Sequence, residues 1–410
     1  MVFFCPCPIA FKLLHLSLLQ TMELTQVKDK TTASLFLQVP VALYKNDANW
    51  IRPLDKDIDG VFDEKKNKAF RFGEAARWVL KDAGGALIGR IAAFTNKKYK
   101  NKGDDIPVGG IGFFECINNE AAAKLLFDTA KNWLQQNGME AMDGPINFGE
   151  RDKWWGLVTE GYKEPLYGMN YNPPYYVQLF ENYGFKVFFN QICFGLDAQK
   201  PIAAKTLERY ETLAKMPGMS VQTIRKSELE KFAADFTTVY NKAWAGHGGL
   251  KELAVAQVVA MFKKMKPVID ERIVYFAYEN ENPIGIFLNL PDLNQYFKHM
   301  NGKFGLLQKL FFVFLQKFRP SKKFTGLVFG VVPEWQGRGV DAFMIGACQK
   351  IIQGGSKPYL DYEMQWIGDF NPKMINVAEG FGDTFRSRNL ATYRYLFDRG
   401  KEFKRHPFLI

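Results

Sequence analysis

The stretch from Phe324 to Lys350, FTGLVFGVVPEWQGRGVDAFMIGACQK, leaves few folds open. An apolar run of strand character ends there in a glycine-rich turn and passes directly into an apolar run of helix character. A strand ending at Val332 and a helix starting near Val340 make a βα unit, with the turn held at the carboxyl end of the strand. The first N–H groups of such a helix lack intrahelical acceptors, and the aligned peptide dipoles add positive potential there. The main chain around Gln336, Gly337, Arg338 and Gly339 is therefore a cradle for an anion. Gly337 and Gly339 can take positive φ and leave open the space that a Cβ would deny to a phosphate oxygen. Arg338 adds charge, whereas Asp341 in the first helical turn competes with an anionic ligand for the same field. A tight connection that binds nothing is the alternative for a turn of this kind.

At 410 residues the chain is long enough for two or more domains. With 47% hydrophobic and 24% charged residues it reads as globular, neither disordered nor a multi-span membrane protein. A formal charge of +11 favours an anionic partner, whether a cofactor, a nucleic acid or a membrane surface. Without an RNA-binding or zinc-finger signature or a sustained basic block, nucleic acid is set aside. Cys5, Cys7, Cys116, Cys193 and Cys348 are odd in number, which argues against a disulfide framework and for a reducing, cytoplasmic setting. Cys5 and Cys7 are too close for the usual zinc pairing. His15, His247, His299 and His406 are scattered, so neither a metal site nor a Ser-His-Asp triad is expected, and His247 reads as a loop residue. Residues 1–21 are apolar but lack the basic start and small-residue cleavage site of a signal peptide. They are expected to be extraneous or disordered, with a first strand opening in MELTQVKDK at Met22.

The order of elements repeats. In the first half RWVLKDAGG and ALIGRIAAFT form a hairpin turning at Gly84-Gly85. The strand GGIGFFEC follows, then the helix EAAAKLLFDTAKNWLQQ, capped by Asn118-Asn119 and closed by Asn137-Gly138. A strand from Met142 to Asn147, the helix YYVQLFENYGF and the strand VFFNQICFGL complete the unit. In the second half come the strand SVQTIRK, the helices ELEKFAADFTTVYNKAW and ELAVAQVVAMFKKM, and a hairpin turning at Asn280 to Pro283. The Phe324 strand, its helix, the strand LDYEMQWI, the segment NPKMINVAEGFGD and the strand FRSRNLATYRYLF close the chain. Two such copies make an α/β (α+β) chain of two tandem domains, 22–196 and 197–410, joined where LDAQKPI and KMPGM change the composition. Each copy is expected to hold a mixed, mostly antiparallel sheet flanked by helices.

The turn after Val332, Pro333 and Glu334 resembles motif A of the GNAT (Gcn5-related N-acetyltransferase) superfamily, whose signature is Gln/Arg-x-x-Gly-x-Gly/Ala. Gln336 and Gly339 match it, and Asp341 stands at its last position. GPINF (144–148), WWGLVTEGY (154–162), MNYNPPYY (169–176), ENYGF (181–185) and VVPEWQGRGVDA (331–342) extend the likeness to the two-lobed YghO-type group of GNAT-related proteins. It covers nearly the whole chain after residue 22. The resemblance implies that the second lobe binds acetyl-CoA or another acyl-CoA through Val331, Val332, Gln336, Gly337, Arg338, Gly339, Val340 and Asp341, with Asn371 near the thiol arm. It implies acyl transfer, acetyl in the commonest case, to a small-molecule or other amine-bearing acceptor. The first half has no Gln-x-x-Gly-x-Gly, so it is expected to lack a CoA site.

Transfer to an amine needs a base, donors for the tetrahedral oxyanion and an acid for the leaving thiolate. The tyrosine that many GNAT enzymes use as the acid is missing: Ala378 or Glu379 stands in that region of the second half, and Phe180 in the first. Another tyrosine or water replaces it, or the chain is a non-catalytic CoA- or ligand-binding protein. Asp361, Glu363 and Gln365 alternate with Tyr362, Met364 and Trp366, which puts an acidic face on that strand. Glu363 is a candidate base and Glu334 a second; a salt-bridged strand face and a plain turn residue are the structural alternatives. Asn371 and Asn172 both precede proline, which suits helix caps. Cap and ligand roles stand level at Asn371, and the cap is favoured at Asn172. Trp154, Trp155, Tyr171, Tyr175 and Tyr176 form an acceptor groove between the lobes or an aromatic interdomain core. Gly305 to Arg319, GLLQKLFFVFLQKFR, is either an insertion packed over the core or a helix lying on an anionic membrane, where it would serve lipid-linked substrates. It is too short and too charged to span a bilayer.

Overall fold

The computed structural model describes residues 22–244, 252–353 and 359–409. The segment 1–21, with Cys5, Cys7 and His15, and the loop residue His247 lie outside them. The first half runs β1 (Glu23–Gln26), α1 (Lys30–Leu43), α2 (Asp55–Val61), β2 (Ala75–Lys81), β3 (Leu87–Phe94), β4 (Val108–Cys116), α3 (Glu120–Gln136), β5 (Ala141–Gly144), β6 (Leu157–Glu160), α4 (Tyr175–Tyr183) and β7 (Lys186–Asp197). The second runs α5 (Ala204–Ala214), β8 (Met219–Thr223), α6 (Leu229–Trp244), α7 (Val255–Met265), β9 (Val274–Glu279), β10 (Asn282–Pro291), α8 (Asn294–Phe297), α9 (Leu306–Phe318), β11 (Lys323–Val331), α10 (Val340–Gln353), β12 (Asp361–Met364), β13 (Ile367–Gly368), α11 (Pro372–Glu379) and β14 (Phe385–Leu396).

The punctuation read from the sequence does its work locally. Asn119 caps α3 by accepting a hydrogen bond from the Ala122 N–H at 2.9 Å. The β9–β10 hairpin turns through Asn280 and Glu281, both at positive φ (45° and 68°), which matches the right-handed twist of the strands. The segment around 196–218, expected as a join, contains α5, which packs along α10. The Tyr210 ring occupies the space that a side chain at Gly346 would need, and it lies 5.8 Å from Phe343. The stretch between the two composition changes is thus an amphipathic helix with Thr206 and Leu213 buried.

One continuous sheet unites the halves, in the order β1-β2-β3-β4-β5-β14-β7-β12-β11-β10-β9-β8, with β6 beside β14 and β13 beside β7. The strand that closes the sequence therefore sits in the middle. β5 of the first half takes β14 as its neighbour, and β12 of the second half takes β7. The two exchanged strands, each of 12 residues, pair antiparallel with each other. Helices cover the sheet, with Leu126, Phe127 and Phe180 fully buried in the first half and Phe232, Phe276 and Met344 in the second.

The exchange is locked by buried charge. Arg394 of β14 donates from Nε to Asp143 Oδ1 at 2.6 Å and from Nη2 to Asp143 Oδ2 at 2.8 Å, and reaches Asp104 at 2.8 Å. Tyr99 Oη donates to the same Asp143 carboxylate at 2.7 Å, so the buried charges have several partners. Removing one member of a buried pair leaves the other charge without compensation. Arg394→Ala is therefore expected to lower the unfolding free energy by about 3–5 kcal/mol. Because β14 belongs to both halves, differential scanning calorimetry should record one transition displaced downward; loss of the first half alone would contradict the exchange.

Candidate functional site

The sheet opens beside β11. β11 and β12 run parallel and pair only from Lys323–Asp361 to Gly326–Met364. After that β13 pairs with Ile192 and Gln191 of β7, while β11 continues along β10. The β10–β11 register shifts at Leu288/Asn289, where Leu327 is the extra residue on β11. Among the described residues the edge of β11 turned away from β10 thus has no strand partner from Leu327 to Val331. A cavity of about 430 Å³ fills the opening, within the usual span of small-molecule sites of roughly 300–1,000 Å³. Its walls are Leu327 to Phe329 of β11, Met364 to Gly368, Met374 and Ala378 of α11, and Tyr240 and Trp244 of α6. Among the described residues no carboxylate or cation lines it.

The cradle lies at the end of the same strand. From Phe329 to Val332 is roughly 10 Å at about 3.3 Å per residue. Pro333–Trp335 form one 3₁₀ turn, and Gly337 and Gly339 have φ of 74° and 87°, so the glycines supply conformations that other residues strain to adopt. A Cβ at Gly337 would meet nothing within 4 Å, so the turn faces open space. The N–H groups of Gly337, Gly339, Val340 and Asp341 have no backbone acceptor among the described residues. Gln336 ties back to the strand, donating from Nε2 to the Val331 carbonyl at 3.1 Å, and Val332 N–H donates to Ile284 O at 2.9 Å. Val340 is buried in the second-half core. Arg338 is exposed, with its guanidinium 5.5 Å from the Trp335 ring. Arg209 of α5 borders Gly339, a second cation that nothing in the linear sequence places there. Asp341 is half-buried in the first turn of α10 and opposes an anion there, with Glu334 exposed in the adjoining turn.

Glu363 is directed elsewhere. Tyr362 and Met364 line the cavity, and Glu363, between them, points to the other face of the strand. It accepts from Lys323 Nζ at 2.5 Å, from Ser387 Oγ at 2.9 Å, and pairs with Arg388 at 3.5 Å. Burial alone would raise its carboxyl, but Lys323, Arg388 and Lys163 together hold it below the ordinary value. The acidic strand face is a salt-bridged one, and Glu363 is not available to take a proton inside the cavity. Glu334 is exposed in the 3₁₀ turn, outside the cavity. Asn371 caps α11, its side chain accepting from the Met374 N–H at 3.3 Å, and it borders the cavity. Asn172, by contrast, does not cap α4. It clamps β6, accepting from Val158 N at 2.7 Å and donating to Val158 O at 3.1 Å.

The aromatic residues of the first half divide among three places. Trp154, Tyr171 and Tyr176 border a small cavity of about 60 Å³, in which Arg90 and Glu115 pair at 3.2 Å. Tyr176 Oη accepts from the Cys116 N–H at 2.8 Å and donates to Glu115 at 3.0 Å. Trp155 and Trp154 border a separate, lysine-rich cleft of about 740 Å³. Tyr175 lines neither, donating to the Cys116 carbonyl at 2.8 Å. Phe180 is buried in the first-half core. The cavity residues missed from the sequence, Tyr240, Trp244, Trp366 and Met374, come from separate elements whose apolar residues read only as core.

The strand order, the opened sheet and the glycine cradle define a two-lobed protein with the tandem GNAT fold. A tandem GNAT protein from the clavulanic acid biosynthesis pathway matches 93% of this chain and 100% of its own length, at a TM-score of 0.52 and 11% identity. In sequence the chain is 25% identical over 382 residues to bacterial ceramide synthase of Caulobacter vibrioides, covering 91% of this chain and 96% of that protein. It is 23% identical over 366 residues to protein YghO of Escherichia coli, covering 86% and 90%. The likeness to the YghO-type group thus extends over most of the chain. No family model matches it.

The Glu363 cluster gives a pH prediction. Its folded value lies below the ordinary 4.5, so its stabilisation is fully present above pH 4.5 and is lost as the pH falls below it. Glu363→Gln leaves Lys323 and Arg388 without their carboxylate and should cost about 3–5 kcal/mol at neutral pH. Urea midpoints measured against pH should then show a flatter acid limb for the variant than for the native chain.

Proposed function

We propose that this chain is an N-acyltransferase that takes an acyl group from an acyl-CoA at the second lobe and passes it to the amine of a long-chain amino alcohol. The observation that carries this reading is the apolar cavity in the opened sheet, one short stretch of β11 away from an anion cradle. The cradle suits a pyrophosphate: Gly337, Gly339 and Val340 offer N–H groups, and Arg338 and Arg209 offer charge, against the carboxylate of Asp341 in the first helical turn. The unpaired edge of β11 between Leu327 and Val331 offers main-chain donors and acceptors to the amides of a pantetheine arm. Bound there, the cofactor would supply an acyl group activated as its thioester.

The protein's own groups account for the remaining needs. Apolar walls disfavour an ammonium, so an amine entering the cavity is held neutral and nucleophilic without a carboxylate base. Two tyrosines stand in the walls. Burial pushes the Tyr362 phenol well up, which makes it a poor proton donor. Tyr240, half-buried on α6, is assigned as the group whose Oη proton goes to the thiolate as the C–S bond breaks, and the proton shed by the newly acylated nitrogen returns to the Tyr240 oxygen through water. It replaces the hydroxyl absent from α11, where Ala378 borders the cavity instead. An acetyl group would leave most of a 430 Å³ cavity unfilled, so a longer acyl chain is the better match. The named relative, bacterial ceramide synthase, supports the acceptor class, since a ceramide is an N-acylated long-chain amino alcohol.

A non-catalytic CoA-binding role is the competing reading, motivated by Asp341. The two are separated with the purified chain, palmitoyl-CoA and sphinganine. Calorimetry should record binding of palmitoyl-CoA, and Gly339→Trp should abolish it by closing the cradle. Thiol release should accompany an N-acyl product identified by mass spectrometry, with less product from acetyl-CoA. Tyr240→Phe is expected to lower kcat by about 100-fold with little change in KM. Heat without product would support the binder, and absence of heat would overturn the cofactor assignment.

A further inference from the structure

Among the described residues no helix is long and apolar enough to cross a membrane, yet α9 presents an apolar face to solvent. Only Phe312 and Leu315 of this helix are buried, packed on Leu293, Tyr296, Phe297 and Met300. Leu306 and Leu307 are 75% and 76% exposed, Leu310 is 62%, Val313 60% and Phe318 61% exposed, and Phe311 and Phe314 are also exposed. At about 100° per residue these seven side chains fall within one arc of roughly 160°. The Phe314 and Phe318 rings lie 4.8 Å apart, and the exposed Lys317 falls within the same arc with its ammonium 5.4 Å from the Phe318 ring, so the outer face is an apolar ridge that carries one cation. A monomer in water does not ordinarily display such a face uncovered.

We infer that α9 seats this protein on the surface of an anionic lipid bilayer. The charges around the ridge select that occupant. From residue 301 to residue 323 there is no Asp or Glu, whereas Lys303, Lys309, Arg319 and Lys322 are exposed in or beside the helix. The carbonyl of Pro267 accepts from Gln316 Nε2 at 3.0 Å, so the end of α7, followed by the exposed Lys266, lies beside α9. An apolar ridge edged by cations fits acyl chains below and anionic headgroups at the rim. A second copy of the chain docked ridge to ridge would set these cations against their own copies. The helix leads through a short connection into β11, so the bilayer would lie next to the strand that borders the cavity.

Co-sedimentation of the full chain with vesicles tests this. The native protein should pellet with equal parts phosphatidylglycerol and phosphatidylcholine, and less with phosphatidylcholine alone or in high salt. Leu310→Asp and Phe314→Asp should each weaken vesicle binding by about tenfold or more. Both positions are exposed, so the melting temperature should stay that of the native chain. Native protein left in the supernatant, or variants that pellet as well as native, would overturn the inference. Self-association without vesicles, abolished by the same substitutions, would assign the ridge to a second copy instead. The inference does not rest on the transfer reaction: a chain that pellets but forms no product supports membrane docking and counts only against the acyltransferase reading.

Discussion

Arg394 leaves the second half of the chain on β14 and places its guanidinium against Asp143 and Asp104 of the first half, and the rest of the molecule is built around that exchange. A buried arginine costs several kcal/mol in desolvation unless its donors are met, so this strand is specified at one position in the sheet. Along the same strand Arg388 pairs with Glu363 of β12 and donates to the carbonyls of Lys163 and Glu164 in the first half. Between the two arginines Thr392 Oγ1 donates to the side-chain Oε1 of Gln191 on β7 at 2.9 Å, which favours one register of the central pair. Polar contacts of this kind specify geometry more than they add stability, because each is wrong in any other register.

The candidate site follows from the exchange. β12 and β13 lie on β7, a strand of the first half, whereas β11 follows β10 of its own half. The two directions separate beyond Gly326, and the sheet opens where parallel strands would otherwise stay paired. That opening gives β11 an unpaired edge and creates the apolar cavity, while the cradle at its end would exist in any βα unit with these glycines. Glu363 anchors the strand that forms one wall, so its ion pairs act on the site through position. The same arrangement sets α9 immediately before β11, with its outward ridge close in sequence to the strand that borders the cavity.

Much of this was legible in the residues. The 2.0-residue and 3.6-residue apolar periods mark the hairpins β2–β3 and β9–β10 and the helices α3, α6 and α10, and Asn119, Gly138 and Gly337 mark where they stop or turn. The region from residue 30 to residue 70 gave no reading, because α1 carries an internal proline at Pro40 and α2 has only seven residues, too few for a period to declare itself. The base candidate failed for a geometric reason. Alternation groups Asp361, Glu363 and Gln365, yet β12 ends at Met364 and Gln365 turns into the cavity lining while Glu363 meets Arg388, and no period tells which face of a strand meets a cavity. Trp154, Trp155, Tyr171, Tyr175 and Tyr176 were legible as a cluster, and only their packing separates them into two cavities and a hydrogen bond to a carbonyl.

The sequence by itself determined the repeated order of elements, the glycine turn with its unpaired N–H groups, and the apolar, cationic segment that became α9. These are local properties, set by φ preferences, capping and period. The tertiary structure alone decided that the last strands change places, that the sheet parts between β11 and β12, that α5 brings Arg209 to the cradle, and that seven apolar side chains of α9 stay outside. Each of these depends on contacts between residues far apart in the chain, and no local periodicity records which distant strand supplies the partner.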